Sequence, residues 1–176
     1  GTPSNSDGSA NLKYIKQVSK EIGHYMNAYK LIINKSTVPV GTLEKVAQWI
    51  LASQRGTQPF DTASNPEFLR EGNALADAMY PDRIIIGTHS KKAADLIKEL
   101  YKTMNCPVMI TEPRTAEFIK YAANAFLATK ISYINELARL CDILGISVLD
   151  VSQGMGLDPR IGQSFLQAGI GFGGSC

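Results

Sequence analysis

The sequence predicts an α/β fold, part of a doubly wound, largely parallel sheet, followed by one long helix. Three observations predict it. Short apolar runs of buried-strand type recur at Leu31-Ile32-Ile33, Ile84-Ile85-Ile86 and Val108-Met109-Ile110. Helical patterns lie between these runs, and such alternation argues for parallel strands joined by crossovers. From Pro113 to Leu144 the periodicity is helical, with no glycine and no second proline. That is well beyond the ~8–20 residues usual for a globular helix.

In chain order, Gly1 to Gly8 is turn chemistry. A helix is expected from about Ser9, with Ile15, Val18, Ile22 and Tyr25 on one face. The run 31–33 ends at Ser36-Thr37-Val38-Pro39. A second helix follows, capped by Thr42, with Leu43, Val46, Ala47, Ile50 and Leu51 inward. Phe60-Asp61-Thr62-Ala63 reads as the next strand and leads into Ser64 to Gly72. The run 84–86 is bounded by Asp82 and Gly87. A helix from about Lys91 to Met104 carries Ala93, Leu96, Ile97, Leu100 and Tyr101. In the long helix Leu127, Ile131, Ile134, Ala138 and Cys141 form one stripe. Phe118, Ala122, Ala125, Phe126 and Tyr133 make its other sides apolar too, so it should bridge two domains or two subunits. A shorter helix spans Val148 to Gln153, before Asp158-Pro159-Arg160-Ile161-Gly162 and a glycine loop.

Composition narrows the function classes. The 176 residues are 44% hydrophobic and 19% charged, a globular balance for one domain or one plus part of another. A net charge of +2, with no basic run, argues against a nucleic-acid partner. No stretch approaches the ~18 apolar residues of a membrane span, and no secretory leader pattern opens the chain. Three cysteines (Cys106, Cys141, Cys176) and two histidines (His24, His89) make no zinc set and fit a reducing cytosol. Cys106 and Cys141 are expected to be buried, and the histidines to lie at the surface.

Several residues could carry chemistry. Cys176 stands behind Gly171-Phe172-Gly173-Gly174-Ser175, so it is either an incidental thiol on a tail or a nucleophile on a loop that a substrate can approach. Ser36-Thr37 and Asn65 to Glu71 leave the carboxyl ends of strands, where ligands gather in open α/β sheets. Ordinary turn and helix-start chemistry also accounts for them. Glu117, Lys120 and Asn124 lie near one helix face, and Lys120 sits in a mostly apolar stretch. It either snorkels to a domain edge or has a partner and a function. Arg160 is a surface cation or an anion clamp.

Four segments together resemble the UDP-glucose/GDP-mannose dehydrogenase family. They are Ser36-Thr37-Val38-Pro39-Val40-Gly41-Thr42, Ser64-Asn65-Pro66-Glu67-Phe68-Leu69-Arg70-Glu71-Gly72, Lys120-Tyr121-Ala122-Ala123-Asn124-Ala125-Phe126-Leu127-Ala128, and Gly171 to Cys176. Arg160-Ile161-Gly162, Phe165-Leu166 and Ala168-Gly169 look like its UDP-glucose branch. The resemblance implies that residues 1–112 are the C-terminal part of an NAD-binding Rossmann-like domain. Residues 113–176 would be the long helix of an α-helical dimerisation domain, cut at the nucleophile loop.

It further implies NAD-dependent, two-step oxidation of a sugar C6 alcohol in the cytoplasm by a homodimer or larger homo-oligomer. Cys176 would form the thiohemiacetal and thioester, Glu67 would handle the hydrolytic water, and Thr37 would help hold it. Lys120, supported by Asn124, would stabilise oxyanions. Phe68, Leu69, Gln167, Gly169, Phe172 and Gly173 would contact the nucleotide sugar, with Arg160 reaching a neighbour's site. Thr2, Pro3, Ser36, Thr37 and Glu71 would face NAD, and no metal is implied. The glycine-rich dinucleotide turn would precede Gly1, and an aspartate would follow Cys176, so the chain by itself is expected to be inactive. GDP-mannose or an N-acetylated UDP-sugar remains an alternative substrate. A dimerising interaction module remains an alternative of another class.

Overall fold

Each apolar run becomes a strand. In the computed structural model, which describes residues 2–173, the order is α1 (Lys13–Tyr25), β1 (Lys30–Asn34), α2 (Thr42–Leu51), β2 (Phe60–Ser64), α3 (Ala74–Met79), β3 (Ile84–Gly87), α4 (Lys91–Leu100), β4 (Val108–Thr111), α5 (Pro113–Leu144) and α6 (Val148–Gly156). The chain divides into two compact units, residues 1–120 and 121–176.

The first unit holds a four-stranded sheet in the order β1-β2-β3-β4. β1 and β2 are parallel over five register pairs, from Lys30↔Phe60 to Asn34↔Ser64. β3 and β4 are parallel over four, from Ile84↔Val108 to Gly87↔Thr111. The α/β class therefore holds, with one departure: β2 and β3 meet antiparallel, through Ser64↔Gly87 alone. Two side chains reinforce that junction. Thr88 Oγ1 donates to Thr62 O at 2.8 Å, and Asn65 Nδ2 donates to Ile85 O at 2.9 Å. Ala63, Ile84, Ile86 and Ile97 form the buried core, with Leu31, Ile33, Tyr101, Met104 and Cys106 packed on it. Cys106 is thus half-buried rather than buried.

α1 starts at Lys13, later than the periodicity predicts. A turn at Asn5–Ser9 and the Ser4↔Ala10 bridge hold the chain extended, and Asn11 Oδ1 accepts from Lys13 N. Its inward face also differs. Val18 and Tyr25 are exposed, while Ser19 and Gly23 are buried. Contact with α2 explains this: a Cβ on Gly23 would lie 2.4 Å from Ile50 O, so only a residue without one fits. On α2, Leu43, Val46 and Ile50 are buried as predicted, but Leu51 is exposed. The cap position belongs to Gly41, at φ 87°, not to Thr42. The Thr42 hydroxyl turns back instead and donates to Pro39 O at 2.5 Å.

The short α3 was not foreseen. Asp77 on it accepts from Arg70 N at 2.8 Å and from the Arg70 guanidinium, which holds the carboxyl well below its usual range. α4 ends at Leu100 rather than Met104, and leaves Leu96 and Leu100 exposed. α5 begins and ends where its sequence pattern does. In the first unit its first turn lies against β3 so closely that a Cβ on Gly87 would meet Ala116 Cβ at 2.5 Å. In the second unit Ile134 and Cys141 of the expected stripe are buried, whereas Phe126, Tyr133, Leu140 and Ile143 stand exposed. The all-round burial read from the pattern is therefore not met within one chain.

Candidate functional site

Parallel register puts two loops side by side. β1 and β2 end together at Asn34↔Ser64, so Lys35 to Thr37 and Asn65 to Glu67 leave adjacent strand tips. Lys120, from the first turns of α5, is 5% exposed. Its Nζ lies 3.8 Å from Glu67 Oε1 and 5.2 Å from the centre of the Phe68 ring. Arg83 Cζ lies 4.0 Å from the same ring centre, so Phe68 is held by two cations. Glu67 Oε2 accepts from Leu69 N at 2.6 Å, which fixes the carboxylate against its own loop. Glu67, Phe68, Leu69 and Lys120 are thus brought together, and Lys120 has the partner that a buried lysine needs. An ammonium so placed can stabilise a developing oxyanion, and the carboxylate beside it can accept a proton.

Thr37 is tied to Thr2 through its backbone: Thr2 Oγ1 donates to Thr37 O at 3.0 Å. Pro3 and Ser36 are exposed beside this contact. Ser36 and Asn34 also line an apolar cleft of about 240 Å³ with Ile15, Ile32 and Ile33. Glu71 is exposed in the turn before α3.

Glu117 has a part that residue types alone do not disclose. It is 3% exposed. Its Oε2 accepts from Gly41 N at 2.6 Å and its Oε1 from Leu43 N at 2.8 Å. A carboxylate 74 residues downstream of Leu43 therefore caps α2, in place of a local side chain. Burial pushes its carboxyl above the ordinary range, against the pull of those backbone donors. Its helical spacing from Lys120 was legible, but the remote helix end it serves was not.

In the second unit Asn124 is half-buried on α5. Arg160 is not a lone cation: its Nη2 lies 2.6 Å from Asp158 Oδ2, and its Nε donates to both carboxylate oxygens. Gln167 and Gly169 line an open cleft of about 400 Å³ with Ile131, Gln163, Ser164, Phe165 and Gly171. Gly169 N donates to Asn135 Oδ1 at 2.8 Å, and sequence reasoning had singled out neither Asn135 nor Gln163. Phe172 and Gly173 are exposed. Cys176 lies outside the described residues. Among the described residues no cluster of three potential metal ligands occurs, and no helix is long and apolar enough to cross a membrane.

Residues 1–105 match the UDP-glucose/GDP-mannose dehydrogenase family, NAD binding domain, and residues 114–176 match the central domain of that family. The chain belongs to the UDP-glucose/GDP-mannose dehydrogenase family. NAD as the family's cofactor agrees with the sequence expectation. Among family relatives, the chain is 53% identical to UDP-glucose 6-dehydrogenase TuaD of Bacillus subtilis, over all of this chain and 38% of that protein. It is 47% identical to a UDP-glucose 6-dehydrogenase of Pseudomonas aeruginosa, over all of this chain and 40% of that protein. The chain thus spans about two-fifths of these family members. Among solved structures, a UDP-glucose dehydrogenase from Pyrobaculum islandicum matches the whole chain with TM-score 0.96 at 45% identity, over 41% of its own length. GDP-mannose dehydrogenase from Pseudomonas aeruginosa matches the whole chain at 0.86 and 31%, over 42% of its length.

Proposed function

We propose that the full-length protein carrying this sequence oxidises the C6 alcohol of UDP-glucose to the carboxylate of UDP-glucuronate. The reaction takes two NAD-dependent steps and passes through a covalent intermediate on Cys176. One observation carries the reading: a buried lysine lies 3.8 Å from Glu67, at the carboxyl ends of parallel strands. The 53% and 47% identities to UDP-glucose 6-dehydrogenases favour UDP-glucose over GDP-mannose, whose dehydrogenase is 31% identical.

Thr2, Pro3, Ser36, Thr37 and Glu71 would hold NAD. The hydroxyl-rich Thr2–Thr37 contact and the apolar cleft beside Ser36 suit a ligand with both polar and flat apolar parts. When bound, NAD supplies the hydride acceptor for both oxidations. The Cys176 thiolate adds to the aldehyde carbon, and Lys120 stabilises the oxyanion that forms, with Asn124 supporting it. At the thioester, a water held by Thr37 gives its proton to Glu67 as its oxygen bonds to the carbonyl carbon. The C–S bond then breaks and the thiolate leaves. Phe68 and Leu69 hold the sugar through their backbone. Gln167, Gly169, Phe172 and Gly173 wrap the nucleotide sugar, and Arg160 serves a neighbouring copy.

Residues 1–112 are assigned to the NAD half of the protein and 113–176 to a helical half that pairs copies through α5. The exposed Phe126, Tyr133 and Ile143 support that pairing. The sparse cysteines support a cytoplasmic setting.

The test is turnover of the full-length protein with NAD and a panel of UDP-glucose, GDP-mannose and N-acetylated UDP-sugars. Two equivalents of NADH per UDP-glucose, abolished by Cys176→Ser, are expected. Preference for another sugar would overturn the substrate, and no turnover on any would overturn the reaction.

A further inference from the structure

We propose that Lys35, Asn65 and Tyr101 form a positioning node that aims Glu67 at the thioester. The proposal rests on the hydrolytic role given to Glu67 above and extends it to three residues that the mechanism does not use.

Asn65 is 2% exposed, and its backbone N–H and both ends of its side-chain amide are engaged. Its backbone N donates to Asn34 O at 2.9 Å, continuing the β1/β2 ladder past the last register pair. Its Nδ2 donates to Ile85 O on β3 at 2.9 Å. Its Oδ1 accepts from Lys35 Nζ at 3.0 Å and from Tyr101 OH at 2.7 Å. Lys35 Nζ also donates to Tyr101 OH at 3.0 Å, which closes a triangle. One side chain is therefore held from three directions: the tip of β1, the middle of β3 and the end of α4.

This demand fits an amide and little else. The site needs a donor toward Ile85 O and a double acceptor toward Lys35 and Tyr101. Aspartate lacks the donor, and an apolar side chain lacks both. The next residue is the buried Pro66, whose ring limits the backbone torsion, and Glu67 follows it. The direction in which Glu67 leaves the strand is thus set by how Asn65 is pinned. Lys35 immediately precedes Ser36 and Thr37, so the same triangle ties the water-holding loop to the carboxylate loop.

A stability role alone does not call for such a network. Buried polar groups add little net stability over apolar replacements, while they specify geometry. Misplacement of a catalytic group by ~1 Å can cost up to about a hundredfold in rate.

The experiment uses the full-length protein with UDP-glucose and NAD. Tyr101→Phe keeps the packed ring and removes the hydroxyl. Lys35→Met keeps the stem, removes the ammonium at a largely exposed position, and gives the same readout if Tyr101→Phe does not fold. Glu67→Gln is the reference. Intact mass during turnover reports the acyl adduct on Cys176. For either node variant we expect kcat to fall about tenfold, with KM for UDP-glucose within about twofold. We also expect an adduct that the unaltered protein does not accumulate. If Glu67→Gln accumulates adduct and the node variants turn over without it, the node is overturned while the role of Glu67 stands. If Glu67→Gln accumulates none, the reading of Glu67 falls, and the node with it.

Discussion

Glu117→Ala tests how helix α2 is held. The substitution strips the acceptor from Gly41 N and Leu43 N, at 2.6 and 2.8 Å, inside a site that is 3% exposed. A buried donor left without a partner costs about 1–3 kcal/mol. Two such donors would cost about 2–6 kcal/mol on that rule. Removing a carboxylate that burial already disfavours returns part of this, so the net loss should be about 2–4 kcal/mol. At about 1.4 kcal/mol per tenfold, protection of these two amides should fall by roughly 30- to 1,000-fold. Hydrogen exchange across residues 36–46 and denaturant unfolding read both effects.

The pH dependence has a defined sign. The folded state holds the Glu117 proton more tightly than the unfolded chain, whose ordinary value is 4.5. The Glu117 contribution to stability therefore declines as pH rises from 4.5 toward the higher folded value, and Glu117→Gln should abolish that slope. Unchanged protection of Gly41 and Leu43 in the alanine variant, with a stability change under ~0.5 kcal/mol, would refute the capping argument.

Two further outcomes follow from packing and from a half-buried phenol. Gly23→Ala sets a methyl 2.4 Å from Ile50 O, so the α1/α2 pair must part. Overpacking of ~1–3 kcal/mol should outweigh the ~1 kcal/mol that alanine gains in a helix, and a more stable variant in urea would contradict this. Tyr29 OH donates to Asp61 Oδ2 at 2.7 Å, and burial, followed by that carboxylate, pushes the phenol up to about 12. Its ionisation in an alkaline absorbance titration should come well above the ordinary phenol value of 10.0. Its contribution to stability should be lost as pH rises from 10 toward 12, and Tyr29→Phe should remove that late transition.

What the residues disclosed in advance depended on whether their partners are near in sequence. Strands β1, β3 and β4 and the whole of α5 are written in local periodicity. Lys120 stood out because a cation in an apolar stretch needs an explanation, and Glu67 stood out at a strand tip. The burial of Gly23 rather than Val18 was not legible, because it depends on how closely another helix crosses. The antiparallel meeting of β2 and β3 involves one register pair, too little to leave a pattern. The cap by Glu117 and the Lys35–Asn65–Tyr101 triangle join residues separated by 30 to 76 positions, and no spacing rule links them. The bond from the Thr2 hydroxyl to Thr37 O, across 35 positions, was equally beyond reach of the motif.

The seam at the centre of the sheet has a mechanical consequence. Two ribbons, one of five register pairs and one of four, share a single backbone pair where they meet. Beside that pair, two side-chain threads join the ribbons, the Thr88 hydroxyl on Thr62 O and the Asn65 amide on Ile85 O. Both threads are side-chain bonds outside the two parallel ladders, so each joins the ribbons without belonging to either ladder. The Asn65 thread also belongs to the Lys35–Asn65–Tyr101 triangle, so this junction is continuous with the loop that carries Glu67.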